Sequence, residues 1–316
     1  MPVSKNSCDP ESAQHFWALK FWPTWVLLGL LKFISMLPFA WQVALAKTLT
    51  PIVMMLAKSR VKVCRINLEK AFPDWTPEHR AVKLRECFYS FVLGAIESNF
   101  TYWASRENFL KLPIRIDGFE YVQAALSKGQ GVIICGYHLH LIDLASRAVG
   151  EKLKAEGGVK TAAVYQANKN PLVDKFLYGW RRRYAADVFR RKELKKMLSW
   201  LKNGNVLLYA PDQDFGRAPS VFAPFFNIPT ATITAPARMV QHVGSVLVPV
   251  IFLREAGQYL IRFHKPIDHY PSGDDLKDAS ALNALFESVI REYPEQYLWQ
   301  HRRFKTRPEG EESFYE

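Results

Sequence analysis

Residues 131–135, Gly-Val-Ile-Ile-Cys, constrain the fold of this chain more than any other stretch. The run is apolar, rich in β-branched side chains, too short for a core helix, and preceded by Gly129, so it reads as a buried strand, continued to 137. Similar runs return at 160–165, 206–209, 245–252 and 259–263. Segments of helical periodicity stand between or after them, at 141–150, 171–184, 192–202, 234–243 and 278–292. Strands alternating with helices of about ten residues predict an α/β protein, a mixed sheet flanked by helices. Upstream, Thr76-Pro77-Glu78 supplies an N-cap, a proline for the first helical position and an acid for the first turn. Leu84, Phe88, Phe91, Val92, Ala95 and Ile96 then recur at helical spacing, which predicts a long amphipathic helix to about Trp103.

The N-terminal region obeys a different rule. Between residues 16 and 41, Trp, Phe, Leu, Ile and Val dominate, and the only charges are Lys20 and Lys32. A helix of about 20 such residues crosses a hydrocarbon core, and Trp17, Trp22, Trp25 and Trp41 stand where interfacial anchors would. A membrane-anchoring helix over about 17–41 is therefore expected. Lys47, Lys58, Arg60, Lys62 and Arg65 follow it, a basic flank that the positive-inside rule assigns to the cytoplasm. The formal charge of +12 asks for anionic partners. A membrane supplies them in acidic headgroups, so nucleic acid is not expected. Cys8, Cys64, Cys87 and Cys135 are scattered without a Cys-x-x-Cys pair, which predicts neither a disulfide framework nor a zinc site.

The chemistry gathers just after predicted strands. His138 and Asp143, in His138-Leu-His140-Leu-Ile-Asp143, are suited to act as a general base and the carboxylate that orients it. Asn170, in Asn168-Lys169-Asn170-Pro171, belongs to a polar loop between a strand and a helix, where α/β sheets bind ligands. Arg181-Arg182-Arg183, followed by Arg190, Arg191 and Lys192, offers forks for phosphate or carboxylate. Asp212 and Asp214, in Pro211-Asp212-Gln213-Asp214-Phe215-Gly216, form a rigid acidic loop. Residues 222–226, Phe-Ala-Pro-Phe-Phe, suit either an acyl-chain groove or the core. No Gly-x-Gly-x-x-Gly, Walker loop or Gly-x-Ser-x-Gly elbow occurs, so neither a nucleotide cofactor nor a serine nucleophile is expected.

The His-x-x-x-x-Asp pattern on a basic, membrane-tethered α/β chain resembles the glycerolipid acyltransferase superfamily. The closer resemblance is to the late acyltransferases of lipid A biosynthesis. It rests on Arg65-Ile-Asn67-Leu68-Glu69, Asn170-Pro171-Leu172, Arg191-Lys192-Glu193-Leu194, the 209–216 loop, and the tail from Pro294 through Trp299, His301 and Arg303 to Pro308. The tail and the Asp212 block favour the lauroyl-type branch. Two departures stand out: that branch has glutamate where Asp143 stands, and glycerolipid enzymes carry asparagine where Tyr137 stands.

The resemblance implies a residue 45–316 catalytic domain behind a 1–44 tail and anchor, at a bacterial inner membrane and facing the cytoplasm. It implies acyl transfer, lauroyl or alternatively myristoyl, from acyl carrier protein to a hydroxyl of a 3-hydroxyacyl chain on a Kdo-bearing lipid A precursor. No cofactor or metal is implied. His138 and Asp143 would be catalytic, with Arg181, Asp212, Asn170 and Asp214 in substrate binding. Arg181 would take acceptor phosphate or the developing oxyanion, and Asp212 would order that arginine or its loop. Two other readings compete. His138, His140 and Asp143 offer three possible metal ligands for a hydrolase, and a non-catalytic protein that gathers acidic lipids would share the anchor and the charge.

Overall fold

The computed structural model describes residues 16–157 and 159–316; Cys8 lies outside them. The apolar N-terminal region forms two helices rather than the expected one, α1 (Trp22–Met36) and α2 (Phe39–Leu56). The break falls at Leu37-Pro38, where Leu37 is extended (ψ 150). Proline disfavours helical geometry in the residue before it and has no N–H to donate, so the helix stops and restarts. Leu19–Met36 has a mean hydropathy of 1.2 with 11% of the segment buried, and α2 has 1.4 with 17% buried. Both are long and apolar enough to cross a membrane. They pack on the long helix α4 (Pro77–Trp103), reached through α3 (Lys58–Ala71). Thr76 caps α4 by accepting from the His79 N–H, as its sequence predicts.

The short helix α5 (Arg106–Leu110) leads into the sheet, β1 (Ile114–Asp117), and α6 (Glu120–Leu126) leads into β2 (Val132–Cys135). Then come α7 (Ile142–Glu156), β3 (Thr161–Tyr165), α8 (Pro171–Arg181), β4 (Asp187–Arg190), α9 (Leu194–Lys202) and β5 (Val206–Tyr209). A hairpin of β6 (Ser220–Phe225) and β7 (Ile228–Ile233) precedes α10 (Ala235–Val243), β8 (Val246–Glu255), β9 (Gln258–Phe263) and α11 (Asp275–Glu292).

Seven strands form one sheet in the order β1-β9-β8-β2-β5-β3-β4. From β8 to β4 the pairings are parallel, while β9 runs antiparallel to β8 and carries β1 beside it. Every residue of β2 is buried, because helices cover both faces of the central parallel strands.

Four strands, β1, β4, β6 and β7, were not expected from the sequence. β1 and β4 are four-residue edge strands with polar ends. β6 contains Pro224, which a central ladder would exclude; a two-stranded hairpin tolerates it. That hairpin turns through Phe226 and Asn227, both at positive φ (53 and 58), a turn that matches strand twist. Phe225 and Phe226 are buried against the aromatic rings of Tyr297 and Trp299. Residues 225 and 226 are therefore core rather than groove.

Candidate active site

Sheet register brings the reactive groups together. β2 and β5 pair in parallel with Cys135 opposite Tyr209, and the Gly136 N–H still reaches the Tyr209 carbonyl (3.0 Å). The chain then leaves both strands in step. Three residues beyond the last pair stand His138 and Asp212. The His138 backbone N–H donates to Asp212 Oδ2 (2.9 Å), and His138 Nδ1 lies 2.5 Å from Asp212 Oδ1. A carboxylate can only accept, so Nδ1 carries the proton of the neutral ring and Nε2 keeps its lone pair.

Charge is arranged to hold that pair. Burial pushes the Asp212 carboxyl up, but the His138 imidazole, the two hydrogen bonds from His138 and the Arg303 guanidinium outweigh it, leaving Asp212 below the usual range. Burial likewise disfavours imidazolium at His138. The Asp212 carboxylate, with a smaller contribution from Asp143, overcomes this and raises the His138 pKa above its ordinary 6.5.

The expected contact between His138 and Asp143 is not formed; Asp212 takes that place. Asp143 sits in the first turn of α7, and its Oδ1 accepts from Arg181 Nη2 (3.2 Å) at the end of α8. Both members of this ion pair are about one-fifth exposed and face the same cavity as His138. The cavity measures about 360 Å³. Asp143, Arg181, Arg191 and Gln213 line its polar part with His138. Ile134, Ala163, Leu208 and Val149 line the apolar part, a slot between the sheet and α7. Gln213 and Arg191 are cavity residues that sequence reading did not single out. Gln213 does stand between two flagged acids and Arg191 lies within the flagged basic run.

Asn170 and Asp214 do not join this group. Asn170 Oδ1 caps α8 by accepting from the Leu172 and Val173 N–H groups, and its Nδ2 donates to Thr24 Oγ1 (2.9 Å) on α1. Asp214 accepts from the Thr306 N–H (2.7 Å), the Thr306 hydroxyl (2.8 Å) and the Gly216 N–H (3.0 Å). Both act as tethers. Of the other two arginines in the run, Arg182 pairs with Asp187 and Arg183 donates to the Tyr102 carbonyl.

His140 stands just before α7, but inside the protein rather than in the cavity. It is buried, its Nδ1 lies 2.8 Å from Ser90 Oγ, and burial with the nearby Arg254 charge holds its pKa down at about 3. The same Ser90 hydroxyl accepts from Arg254, which is paired with the buried Glu97. Among the described residues no group of three His, Cys, Asp or Glu side chains is placed to hold a metal ion. His138, His140 and Asp143 have separate partners instead.

A neutral imidazole with a free lone pair, backed by a buried carboxylate and facing an apolar slot beside a guanidinium, suits proton removal from a hydroxyl next to a long apolar substrate. Comparison with known proteins identifies relatives along nearly the whole chain. The sequence model of the family described as bacterial lipid A biosynthesis acyltransferase matches residues 9–306. A lipid A biosynthesis lauroyltransferase of Escherichia coli (strain K12) is 33% identical, covering 94% of this chain and 95% of that protein. A palmitoleoyltransferase of lipid A biosynthesis from the same organism is 29% identical (94% and 95% covered), and a myristoyltransferase 26% (98% and 96%).

Proposed function

The chain belongs to the bacterial lipid A biosynthesis acyltransferase family, and from that premise we propose that it transfers a lauroyl group from acyl carrier protein to a hydroxyl of a 3-hydroxyacyl chain on a Kdo-bearing lipid A precursor. The observation that carries this reading is the His138–Asp212 pair at the head of the apolar slot.

His138 Nε2 takes the proton of the acceptor hydroxyl as its oxygen attacks the thioester carbonyl carbon. Asp212 stabilises the imidazolium that forms. The tetrahedral intermediate then collapses, the C–S bond breaks, and the imidazolium returns its proton to the departing thiol of the carrier. Arg181, fixed by Asp143, supports the oxyanion or an acceptor phosphate. No acyl-enzyme is required, and the reaction needs no cofactor beyond the acyl-carrier co-substrate.

Ala163, Leu208 and Ile134 stand in one row across the sheet and line the wall of the slot, an apolar surface suited to an acyl chain. The lauroyltransferase relative, 33% identical, supports a lauroyl chain. Aspartate at position 143 favours the myristoyl-type alternative.

The two apolar helices and the exposed Lys58, Arg60, Lys62 and Arg65 that follow them support an inner-membrane location with the catalytic part on the cytoplasmic side. The arrangement of sheet, helices and His-x-x-x-x-Asp loop is consistent with a glycerolipid-acyltransferase-like fold. Exposed Arg182, Lys192, Lys195 and Lys196 offer the acidic carrier protein a basic surface.

Incubating the purified protein with acceptor and a series of acyl carrier proteins loaded with ten- to sixteen-carbon chains, then weighing the lipid product, tests this proposal. Lauroyl product is expected to dominate. A dominant myristoyl product would select the alternative, and absence of any acylated product would overturn the reading.

A further inference from the structure

The loops bearing His138 and Asp212 leave different strands, yet both are fastened to one segment, the C-terminal tail beyond α11. Leu139 forms a β-bridge with Tyr297. The His140 N–H donates to the Gln296 carbonyl (2.9 Å), and the Leu298 N–H donates to the His138 carbonyl (3.1 Å). Farther along, the Thr306 N–H and hydroxyl both hold Asp214, two residues past Asp212. His301 Nε2 accepts from the Asp214 N–H (3.2 Å).

The tail is itself anchored. Asn67 on α3 donates to the Trp299 and His301 carbonyls (2.7 and 2.8 Å) and accepts from the Tyr315 hydroxyl (2.5 Å). Arg303, 1% exposed, donates to the Ala231 carbonyl and to Thr232 Oγ1, and its fixed charge helps to keep the Asp212 carboxyl ionised.

We infer that this tail is a working part of the reaction centre: it fixes the His138–Asp212 contact from below, with Thr306 and Arg303 as positioning residues. Its two tasks are separable. Thr306 holds the loop that presents the carboxylate, so losing it loosens the His138–Asp212 contact. Arg303 supplies a positive charge that favours carboxylate over imidazolium in the pair, so losing it strengthens the hold of the pair on its proton.

The other titratable and charged groups around the pair are Asp143 on α7 with its partner Arg181, Arg191 across the cavity, Tyr137 and Cys135 on the β2 side, Asp214 on the loop after β5, and Tyr297 and His301 at the tail. None of them changes in these variants. The inference rests on the assignment of His138 as the base, so its test includes a reading that needs no turnover.

The His138 ring is titrated by nitrogen NMR in the full-length detergent-solubilised protein and in Thr306→Val, Thr306→Ser, Arg303→Gln and Arg303→Lys, with kcat, KM and thermal unfolding measured alongside. The midpoint is expected to fall toward the free-imidazole value in Thr306→Val and to rise by about 1 pH unit in Arg303→Gln. The Ser and Lys variants keep the native midpoint. In both disruptive variants kcat falls about 10-fold or more while KM holds, as small misplacement of a base predicts. Unmoved midpoints with native kcat, even beside a lowered unfolding temperature, would overturn the inference and leave the tail a strap. Should Arg303→Gln fail to fold, Thr306→Val decides alone.

Discussion

His138 Nδ1 lies 2.5 Å from Asp212 Oδ1, across 74 residues of sequence, although Asp143 stands only five residues away. The nearer acid serves Arg181. The two acids therefore have different expected phenotypes: one acts on the base directly, the other on the guanidinium that faces the substrate.

Replacing His138 with alanine is expected to lower kcat by roughly 10²–10⁴-fold, the usual worth of a positioned base. Membrane association should match the native protein, and the unfolding temperature should fall modestly because the buried Asp212 loses its imidazole partner. Sedimentation with membranes and steady-state rates check this. Retention of most activity would remove His138 from the chemistry.

Asp212→Asn should lose far more kcat than KM, because the amide can neither stabilise imidazolium nor fix the Nδ1–H tautomer. Asp143→Asn should act mainly on KM, through a loosened Arg181, with Asp143→Glu milder than Asp143→Asn because it keeps the charge. Initial-rate kinetics on the three variants separate the two roles. An equal effect of Asp212→Asn and Asp143→Asn on kcat would merge them.

The activity should have an acid limb above the ordinary imidazole value. His138 must be neutral to act, and its pKa is raised from 6.5 because the Asp212 carboxylate overcomes the cost of burying the charge. At pH below the raised value the ring is protonated and idle; as pH climbs through it, kcat/KM rises. In Asp212→Asn the limb should move to lower pH while the plateau drops. A limb at or below 6.5 in the native enzyme would contradict the pairing.

Gly94 on α4 supports the His138 loop from behind. A methyl group there would come within 2.5 Å of the His140 carbonyl oxygen and 2.8 Å of its Cβ. Gly94→Ala is expected to cost about 1–3 kcal/mol, as overpacking does, and to lower activity by shifting the loop. Glu97→Ala, which leaves the partly buried Arg254 without its carboxylate, should cost about 1–3 kcal/mol. Denaturant unfolding measures both, and losses under about 0.5 kcal/mol would show that the loop yields easily.

By itself the sequence determined the secondary structure wherever apolar period and end signals agreed: β2, α4 with its Thr76 cap, and β3, α8, α9, β5, α10, β8, β9 and α11, but not β4, β6 or β7 between them. It also marked the two loops that carry chemistry, because polar residues clustered directly after buried strands have no apolar packing to do. Pro38 also carried a boundary signal, but a single helix over 17–41 was expected there and only the structure showed the break.

The tertiary structure decided which marked residues meet. The sequence pointed to Asp143, five residues away, as the partner of His138 and left Asp212 to Arg181 or its own loop. Choosing between them required the parallel register of β2 with β5 and the turn of α7 toward α8. Pairing register depends on strands far apart in the chain, and no local pattern encodes it. The same holds for the tail. Its residues are legible as a motif, but their grip on both loops exists only once the sheet has set those loops side by side.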